Sequence, residues 1–287
     1  MELKKATRKK VKMKLNISAP SGAGKTYSAL LLAKGLVGDW SKIAVIDTEN
    51  QSASLYEHLG GFNTLDLQPP FSPERYIQAI QTCISAGMEC IIIDSSSHEW
   101  SGVGGCIEIN ENLAKAKYKG NTWSAWSETT PRHDKFVATV LQAPAHIITC
   151  TRSKTETVMG EDKKVKKVGM KDIQREGWEY ELTVSFNLDR DTHTATASKD
   201  RTEMFDGIDP FVITEETGVM IADWCNKGVD EAKLLKQTVA DAITKVDGLQ
   251  YREELLELRQ ILPTEVLNNA EFKAAANQKY KQLTTNE

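Results

Sequence analysis

Eight residues near the start of the chain, from Ala19 to Thr26, have the types and spacing needed to hold phosphate groups. They follow the G-x-x-x-x-G-K-[ST] pattern of a P-loop, with alanine in place of the first glycine. In such a loop backbone N–H groups face phosphate oxygens, the lysine reaches the β- and γ-phosphates, and the threonine holds Mg²⁺. We therefore expect ATP and Mg²⁺ here, with the nucleotide bound by Ser21, Gly22, Ala23, Gly24, Lys25, Thr26 and Tyr27.

The segments on either side of this loop support the P-loop interpretation. Residues 15–18 alternate as a strand does, and residues 27–37 carry apolar side chains at helical spacing before Gly38, a typical helix stop. A strand, a glycine-rich loop and a helix form the context in which a P-loop occurs. The alternative, an accidental glycine turn before a buried helix, is disfavoured by this context.

Two further predicted strands end in the carboxylates that ATP hydrolysis needs. Residues 90–94 form a continuous apolar run that ends in Asp94, where a carboxylate can join Thr26 in holding Mg²⁺. The β-branched run from residue 42 ends in Glu49. Because the carboxyl ends of parallel strands meet at one edge of a sheet, this position favours Glu49 as the residue that orients the attacking water. Glu99, five residues beyond Asp94, is the alternative base.

Cations that could stabilise the transferred phosphate lie further along the chain. Arg152 follows a predicted strand at residues 145–150 and could contact the γ-phosphate, or belong to a surface basic pair with Lys154. Lys199 and Arg201 flank Asp200 after a hairpin strand. These two cations form either a solvated turn or a finger that reaches the nucleotide of a neighbouring protomer.

A lysine-rich segment separates the predicted core strands from that hairpin. Residues 163–171 contain five lysines and no acid. A mobile lysine loop neutralises phosphates with little sequence preference, which predicts nucleic-acid contacts. The alternative is a solvated β-hairpin tip, because Val165 and Val168 are spaced to suit one. The lysines assigned to nucleic acid are Lys163, Lys164, Lys166, Lys167 and Lys171.

Strand and helix patterns alternate from residue 14 to 154, which predicts an α/β fold with a mostly parallel central sheet. We divide the chain into a basic N-terminal arm (1–13), an ATPase core (14–227) and a helical C-terminal appendage (228–287). Within the core we expect a helix from Pro73 to Gly87, a helix interrupted near Pro131, and a β-hairpin formed by residues 181–188 and 192–198.

The composition excludes several classes of protein. A net charge of −4 argues against a wholly basic nucleic-acid binder but permits a local basic surface. No apolar run approaches the roughly 18 residues of a membrane span, so we expect a cytoplasmic protein without membrane contact. The five scattered cysteines lack C-x-x-C spacing, which indicates buried free thiols rather than a zinc site.

The order of these motifs resembles the RecA family core and is most similar to the compact phage-encoded RecA-like proteins of the Sak type. The resemblance covers residues 12–226 and is carried by the P-loop, Ile46-Asp47-Thr48-Glu49, Ile92-Ile93-Asp94-Ser95 and Lys199-Asp200-Arg201. It implies that Glu49 activates water and that the strand at 145–150 lies between those of the P-loop and Asp94, which aims Arg152 at the γ-phosphate. RecA has glutamine where this chain has Arg152.

The resemblance also implies a disordered DNA-binding loop after the strand at 145–150, and cations at Lys199 and Arg201 that act across a subunit interface. We therefore expect a DNA-stimulated ATPase that acts on single-stranded DNA in recombination or annealing. It would form a ring or filament with ATP at the interface, and a single-strand-binding or replication protein is a further possible partner. The alternatives are an ATP-dependent switch that loads a protein partner in DNA replication, and a small-molecule kinase, which ranks last because an arginine-rich lid is missing.

Overall fold

The structure is a computed structural model that describes residues 8–159 and 165–285. Among the described residues, those between 12 and 225 form one compact unit, and residues 226–285 form a second unit together with residues 8–11. The sequence predicts a core at 14–227 and a separate arm at 1–13. The structure instead groups residues 8–11 with the C-terminal helices, because their backbone pairs with Val229.

The larger unit is built on a sheet of nine strands with the order β3-β2-β4-β5-β1-β7-β8-β9, and β6 pairs with β5 off this path. Neighbours from β3 to β7 are parallel, whereas β6, β8 and β9 pair antiparallel. The predicted α/β fold with a mostly parallel sheet is confirmed, as is the expected position of β5 between β1 and β4. The strands are β1 (Lys14–Ala19), β2 (Ile43–Asp47), β3 (Asn63–Asp66), β4 (Cys90–Asp94), β5 (His146–Met159), β6 (Val165–Asp172), β7 (Val184–Leu188), β8 (Thr194–Asp200) and β9 (Phe211–Val212).

Helices cover both faces of this sheet, as continuous apolar strands such as β4 require. On one face α1 packs in a core with Ile17 and Ile92, and on the other α2 and α5 pack with Ile93 and Trp178. Short 3₁₀ segments occupy residues 40–42 and 52–59. The helices of this unit are α1 (Lys25–Val37), α2 (Pro73–Ser85), α3 (Ser97–Ser101), α4 (Cys106–Lys117), α5 (Thr122–Gln142), α6 (Trp178–Glu181) and α7 (Glu215–Asn226).

The prediction of an interruption near Pro131 is wrong, because α5 is one continuous helix of 21 residues that includes this proline. A proline inside a helix removes one hydrogen bond, but tertiary packing can outweigh that loss. The helix buries Ala125 and Thr129 before the proline and His133 and Phe136 after it. The predicted helix at 73–87 is confirmed and ends at Ser85.

The lysine-rich segment forms a β-hairpin. β5 extends beyond the core strand and pairs antiparallel with β6, from Ser153 opposite Asp172 to Met159 opposite Val165. The structure therefore has strands where the resemblance implied a disordered loop, in agreement with the hairpin alternative. Lys163 and Lys164 lie outside the described residues.

The smaller unit contains four helices among its described residues, as expected for the C-terminal appendage: α8 (Glu231–Gly248), α9 (Arg252–Ile261), α10 (Thr264–Asn268) and α11 (Ala270–Thr285). They enclose a core that includes Val246, Leu255 and Phe272. Beside these helices, the N–H of Lys10 donates to the carbonyl of Val229 at 3.0 Å. Across the described residues of both units, no helix combines the length and the apolar character needed to cross a membrane.

Candidate active site

The P-loop joins the carboxyl end of β1 to the first turn of α1. Gly22 and Gly24 have φ values of 80° and 89°, a left-handed conformation that a side chain disfavours. Ala19, which replaces the first glycine of the pattern, is the last residue of β1 and is buried with 1% of its surface exposed. The substitution is tolerated because this position is an ordinary strand residue, whereas the conformationally demanding positions keep their glycines.

Lys25 and Thr26 begin α1 directly after Gly24. The ammonium of Lys25 folds back over the loop and donates to the carbonyls of Ala19 and Pro20, at 3.1 and 3.0 Å. The hydroxyl of Thr26 donates to Oδ2 of Asp94 at 2.5 Å. The two predicted Mg²⁺ ligands are therefore neighbours, although 68 residues separate them in the chain.

Asp94 is the last residue of β4 and is almost fully buried. Burial raises the pKa of its carboxyl to about 6, and the negative charge of Glu49 acts in the same direction. The hydrogen bond from Thr26 and the charge of Lys25 partly offset this rise. Near neutral pH the carboxyl is still mostly ionised, which is the state that holds a divalent cation.

Glu49 and Arg152 form a two-pronged ion pair at the same edge of the sheet. Nε of Arg152 lies 2.7 Å from Oε1 of Glu49, and Nη2 lies 2.6 Å from Oε2. Partial burial tends to raise the pKa of Glu49, but the hydrogen bond and charge of Arg152 outweigh it and hold that pKa below its usual value. The positive charge of Lys25 acts in the same direction, which puts this pair within electrostatic range of the P-loop.

The turn that presents Glu49 is fixed by Asp47, whose structural role the sequence did not reveal. Its buried carboxylate accepts hydrogen bonds from the N–H groups of Glu49 and Ala53, at 2.6 and 2.8 Å. An aspartate two residues before an N–H it caps is a recognised turn signal, so the sequence contained a clue.

The ends of β1, β2 and β4, with Arg152 on β5 beside them, thus bring a phosphate-binding loop, a cation-holding pair and an arginine–glutamate pair to one edge of the sheet. Residues 11–207, well over half of the chain, match a protein family described as an AAA domain. The chain belongs to this family. Family membership indicates a P-loop ATPase-like domain that binds and hydrolyses a nucleotide. A search of curated proteins finds no match to the chain.

The residues of this AAA domain fit the ATP and Mg²⁺ that such an ATPase uses. A Cβ at Gly22 would meet no atom within 4 Å, so the glycine serves the backbone conformation and leaves the loop open. Thr26 and Asp94 offer the hard oxygen ligands that Mg²⁺ prefers. Bound there, the cation would neutralise negative charge on the phosphates during transfer.

Glu99, the alternative base, occupies a different environment in the AAA domain. Its side chain is fully buried and accepts a hydrogen bond from Cys106 at 3.1 Å. Nδ1 of His133 lies 3.1 Å from one carboxylate oxygen and 3.2 Å from the other. Between the two candidates, it is Glu49 that lies beside Arg152 and within range of Lys25.

Lys199 and Arg201 lie at the opposite edge of the sheet from the P-loop of their own chain. Asp200, between them, pairs with Val184, which pairs with Leu15 at the start of β1. The P-loop follows the other end of β1, about 13 Å further along at the rise of a strand. Both cations donate to the carbonyl of Tyr180, so the structure does not place them with the other predicted catalytic residues.

His193 contacts the P-loop, although it belongs to no motif of the sequence. It lies in the turn between β7 and β8, and its Nδ1 is 3.1 Å from the carbonyl oxygen of Ala23. A Cβ at Gly24 would lie 3.6 Å from the same nitrogen. This contact depends on β7 lying beside β1, which no local pattern reveals.

Of the lysines assigned to nucleic acid, the three that the structure describes lie on β6. Lys166 and Lys167 lie opposite Val158 and Thr157 on β5. Lys171 lies opposite Lys154 and is exposed. Among the described residues, these cations are therefore carried by a hairpin whose first strand also carries Arg152.

Proposed function

We propose that this chain is a RecA-like ATPase that acts on single-stranded DNA in phage-type recombination or annealing. The observation that carries the proposal is the set of groups at the carboxyl ends of β2, β4 and β1, together with Arg152, which lies within β5 opposite Ala19, the last residue of β1. Glu49, Asp94, Arg152 and the P-loop follow one another along this edge in the strand order of the sheet. They supply a water-orienting carboxylate, Mg²⁺ ligands and two cations.

In the proposed reaction the triphosphate lies in the P-loop, with Lys25 at the β- and γ-phosphates. A water oxygen attacks the γ-phosphorus, its proton passes to Glu49, and the bond to the β-phosphate oxygen breaks to leave ADP and phosphate. A carboxylate paired on both oxygens cannot accept a proton well, so the Glu49–Arg152 pair has to open before this step. The guanidinium that is released is then available to the γ-phosphate.

The β5–β6 hairpin supports DNA as the second ligand. Its lysines offer phosphate contacts that carry no sequence information. Because Arg152 and the hairpin belong to one continuous strand, a force on the hairpin acts directly on the residue that holds Glu49. This connection is a physical route by which single-stranded DNA would stimulate hydrolysis.

The decisive experiment measures steady-state ATP turnover by the full chain with and without single-stranded DNA of several lengths. Stimulation that saturates with DNA and is absent with duplex of equal length supports the proposal. The rival function is an ATP-dependent switch or loader acting on a replication protein. An ATP turnover rate that is unchanged by single-stranded DNA but rises with a replicative helicase would favour the rival function.

A further inference from the structure

A buried cluster outside the ATP site brings together three chemically different side chains. Glu99 lies on α3, Cys106 begins α4, and His133 lies midway along α5. Glu99 and Cys106 are fully buried, and 3% of His133 is exposed. One ligand atom from each lies within 4.8 Å of the other two, namely a carboxylate oxygen, Sγ and a ring nitrogen.

The distances match those of atoms that share one metal ion. Sγ of Cys106 and Nδ1 of His133 each lie 3.1 Å from the same carboxylate oxygen of Glu99. Ligand atoms bound tetrahedrally at about 2.0–2.3 Å stand roughly 3.3–3.8 Å apart, so these two pairs of atoms are within a few tenths of an ångström of that spacing. The third pair, Sγ and Nδ1, lies within 4.8 Å. Thiolate, imidazole and carboxylate are the three side-chain ligands that zinc takes, and the thiolate disfavours Mg²⁺ and Ca²⁺.

A cleft next to the cluster is lined by one of its three residues. His133 lines this cleft of about 300 Å³, together with Asp134, Glu176, Glu181 and Arg175. Arg175 pairs with Asp134 at 2.9 Å, which leaves the wall with a surplus of negative charge. A site with three protein ligands takes water as its fourth ligand.

We propose that Glu99, Cys106 and His133 bind one zinc ion, with a structural role. The ion would tie α3, which directly follows the Asp94 strand, to α4 and α5. Binding displaces the thiol proton of Cys106 to solvent, while His133 binds as neutral imidazole through Nδ1 and Glu99 as carboxylate. This site is independent of the proposed action on DNA, because none of its three residues belongs to the ATP site.

The test begins with the unaltered full chain, equilibrated with micromolar Zn²⁺ and dialysed against metal-free buffer. Elemental analysis should find about one zinc ion per chain. Equilibration with Co²⁺ instead should produce a thiolate-to-cobalt absorption band, which reports on Cys106 without any substitution. If the chain retains no zinc and gives no cobalt band, the three side chains only hydrogen-bond to one another, and the proposal is overturned.

Substitutions then assign the ligands. Cys106→Ser and His133→Gln should each weaken zinc binding by more than about tenfold, and Cys106→Ser should abolish the cobalt band. Cys83→Ser, which removes a buried thiol on α2, is the matched control. It should leave zinc binding and the cobalt band unchanged. Circular dichroism checks that each variant is folded. Equal zinc binding by folded Cys106→Ser and the unaltered chain would contradict the assignment.

Discussion

In the proposed mechanism, the ion pair between Glu49 and Arg152 has to open before the ATP site can react. Two hydrogen bonds join the two side chains. The side chain of Glu49 is 23% exposed. A bidentate arginine–carboxylate pair of this kind is stronger than a single contact. The pair keeps Glu49 ionised, because it holds the pKa of that carboxyl low, but it also occupies the oxygens that would accept a proton.

Glu49→Gln is therefore expected to bind ATP normally and to hydrolyse it about 10²–10⁴-fold more slowly, since only the proton acceptor is lost. Steady-state turnover and calorimetric ATP titration measure the two effects separately. Glu74→Gln is the matched control, because Glu74 makes an equally bidentate pair with Arg132, at 2.7 and 2.8 Å. Full turnover by Glu49→Gln would contradict its role and return attention to Glu99.

Lys25→Ala should abolish tight MgATP binding, because it removes the cation that the P-loop directs at the β- and γ-phosphates. Lys34→Ala is the control on the same helix, where the ammonium donates to the carbonyl of Gly38. Calorimetry with MgATP distinguishes the two variants. Unchanged ATP affinity in Lys25→Ala would contradict the P-loop interpretation of residues 19–26.

Residue-level prediction from sequence works where the chemistry demands particular residue types in a local pattern. Lys25, Thr26 and Asp94 were predictable because the loop and the strand end define their positions, and the structure brings Thr26 and Asp94 into contact. The contact of His193 with Ala23 was not predictable, since the two residues are 170 positions apart in the chain. The Glu99 cluster was missed for the same reason, because it joins three separate helices.

At the scale of elements, β5 connects the ATP site to the lysine hairpin. Replacing Lys163, Lys164, Lys166 and Lys167 with Ala should weaken single-strand binding and flatten its salt dependence, by roughly 0.7 in log–log slope per lost phosphate contact. The same four positions changed to Arg preserve the charge and are the matched control. Fluorescence anisotropy at several salt concentrations measures the slopes. An unaltered slope in the alanine variant would mean that this hairpin is merely solvated.

The start of β5 also contains an element-scale source of acid sensitivity. His146 is buried, and its Nδ1 accepts a hydrogen bond from the N–H of Met13 at 3.0 Å. Burial, together with the charges of Lys12 and Lys14, lowers the pKa of His146 from 6.5 to about 3. Because the folded pKa lies below the unfolded one, the unfolded chain takes up the proton first, and stability falls as the pH drops below 6.5.

Protonation of His146 in the unfolded chain should by itself lower the free energy of unfolding by about 2 kcal/mol as the pH falls from 7 to 5. His146→Asn, whose side-chain oxygen can take the place of Nδ1, should lose correspondingly less over that range. Urea unfolding at the two pH values measures the difference. His58→Asn, which replaces an exposed histidine, is the control and should behave as the unaltered chain does. An equal acid loss in His146→Asn would show that other groups cause it.

Elements were predictable where the pattern is strong, and tertiary packing decided the rest. The run from Cys90 to Asp94 has the apolar character of a buried parallel strand and forms β4. Pro131 predicted a break in α5, but packing on both sides of the proline keeps the helix continuous. The lysine-rich segment permitted a loop or a hairpin, because the alternation of two valines is a weak signal next to five charges.

At the scale of the whole molecule, we propose that Lys199 and Arg201 complete the ATP site of a neighbouring chain. These cations lie at the edge of the sheet opposite the P-loop of their own chain. The exposed guanidinium of Arg201 is held only by the carbonyl of Tyr180 among the contacts described, so it could be redirected toward a neighbour. In a ring or filament, subunits that repeat head to tail bring one edge of each chain against the other edge of the next.

Arg201→Ala should then bind ATP nearly normally but hydrolyse it poorly, since a cation acting in trans stabilises the transition state more than the ground state. A mixture of the Arg201→Ala and Glu49→Gln variants tests whether Arg201 acts in trans. At equal amounts, about a quarter of the interfaces would pair an intact Glu49 with an intact Arg201 from the neighbouring chain, so turnover should partly return. The control replaces Glu49→Gln with the double variant Glu49→Gln/Arg201→Ala, which offers no intact pair and should restore nothing. If the first mixture stays as inactive as its components while light scattering shows that they co-assemble, Arg201 does not act in trans.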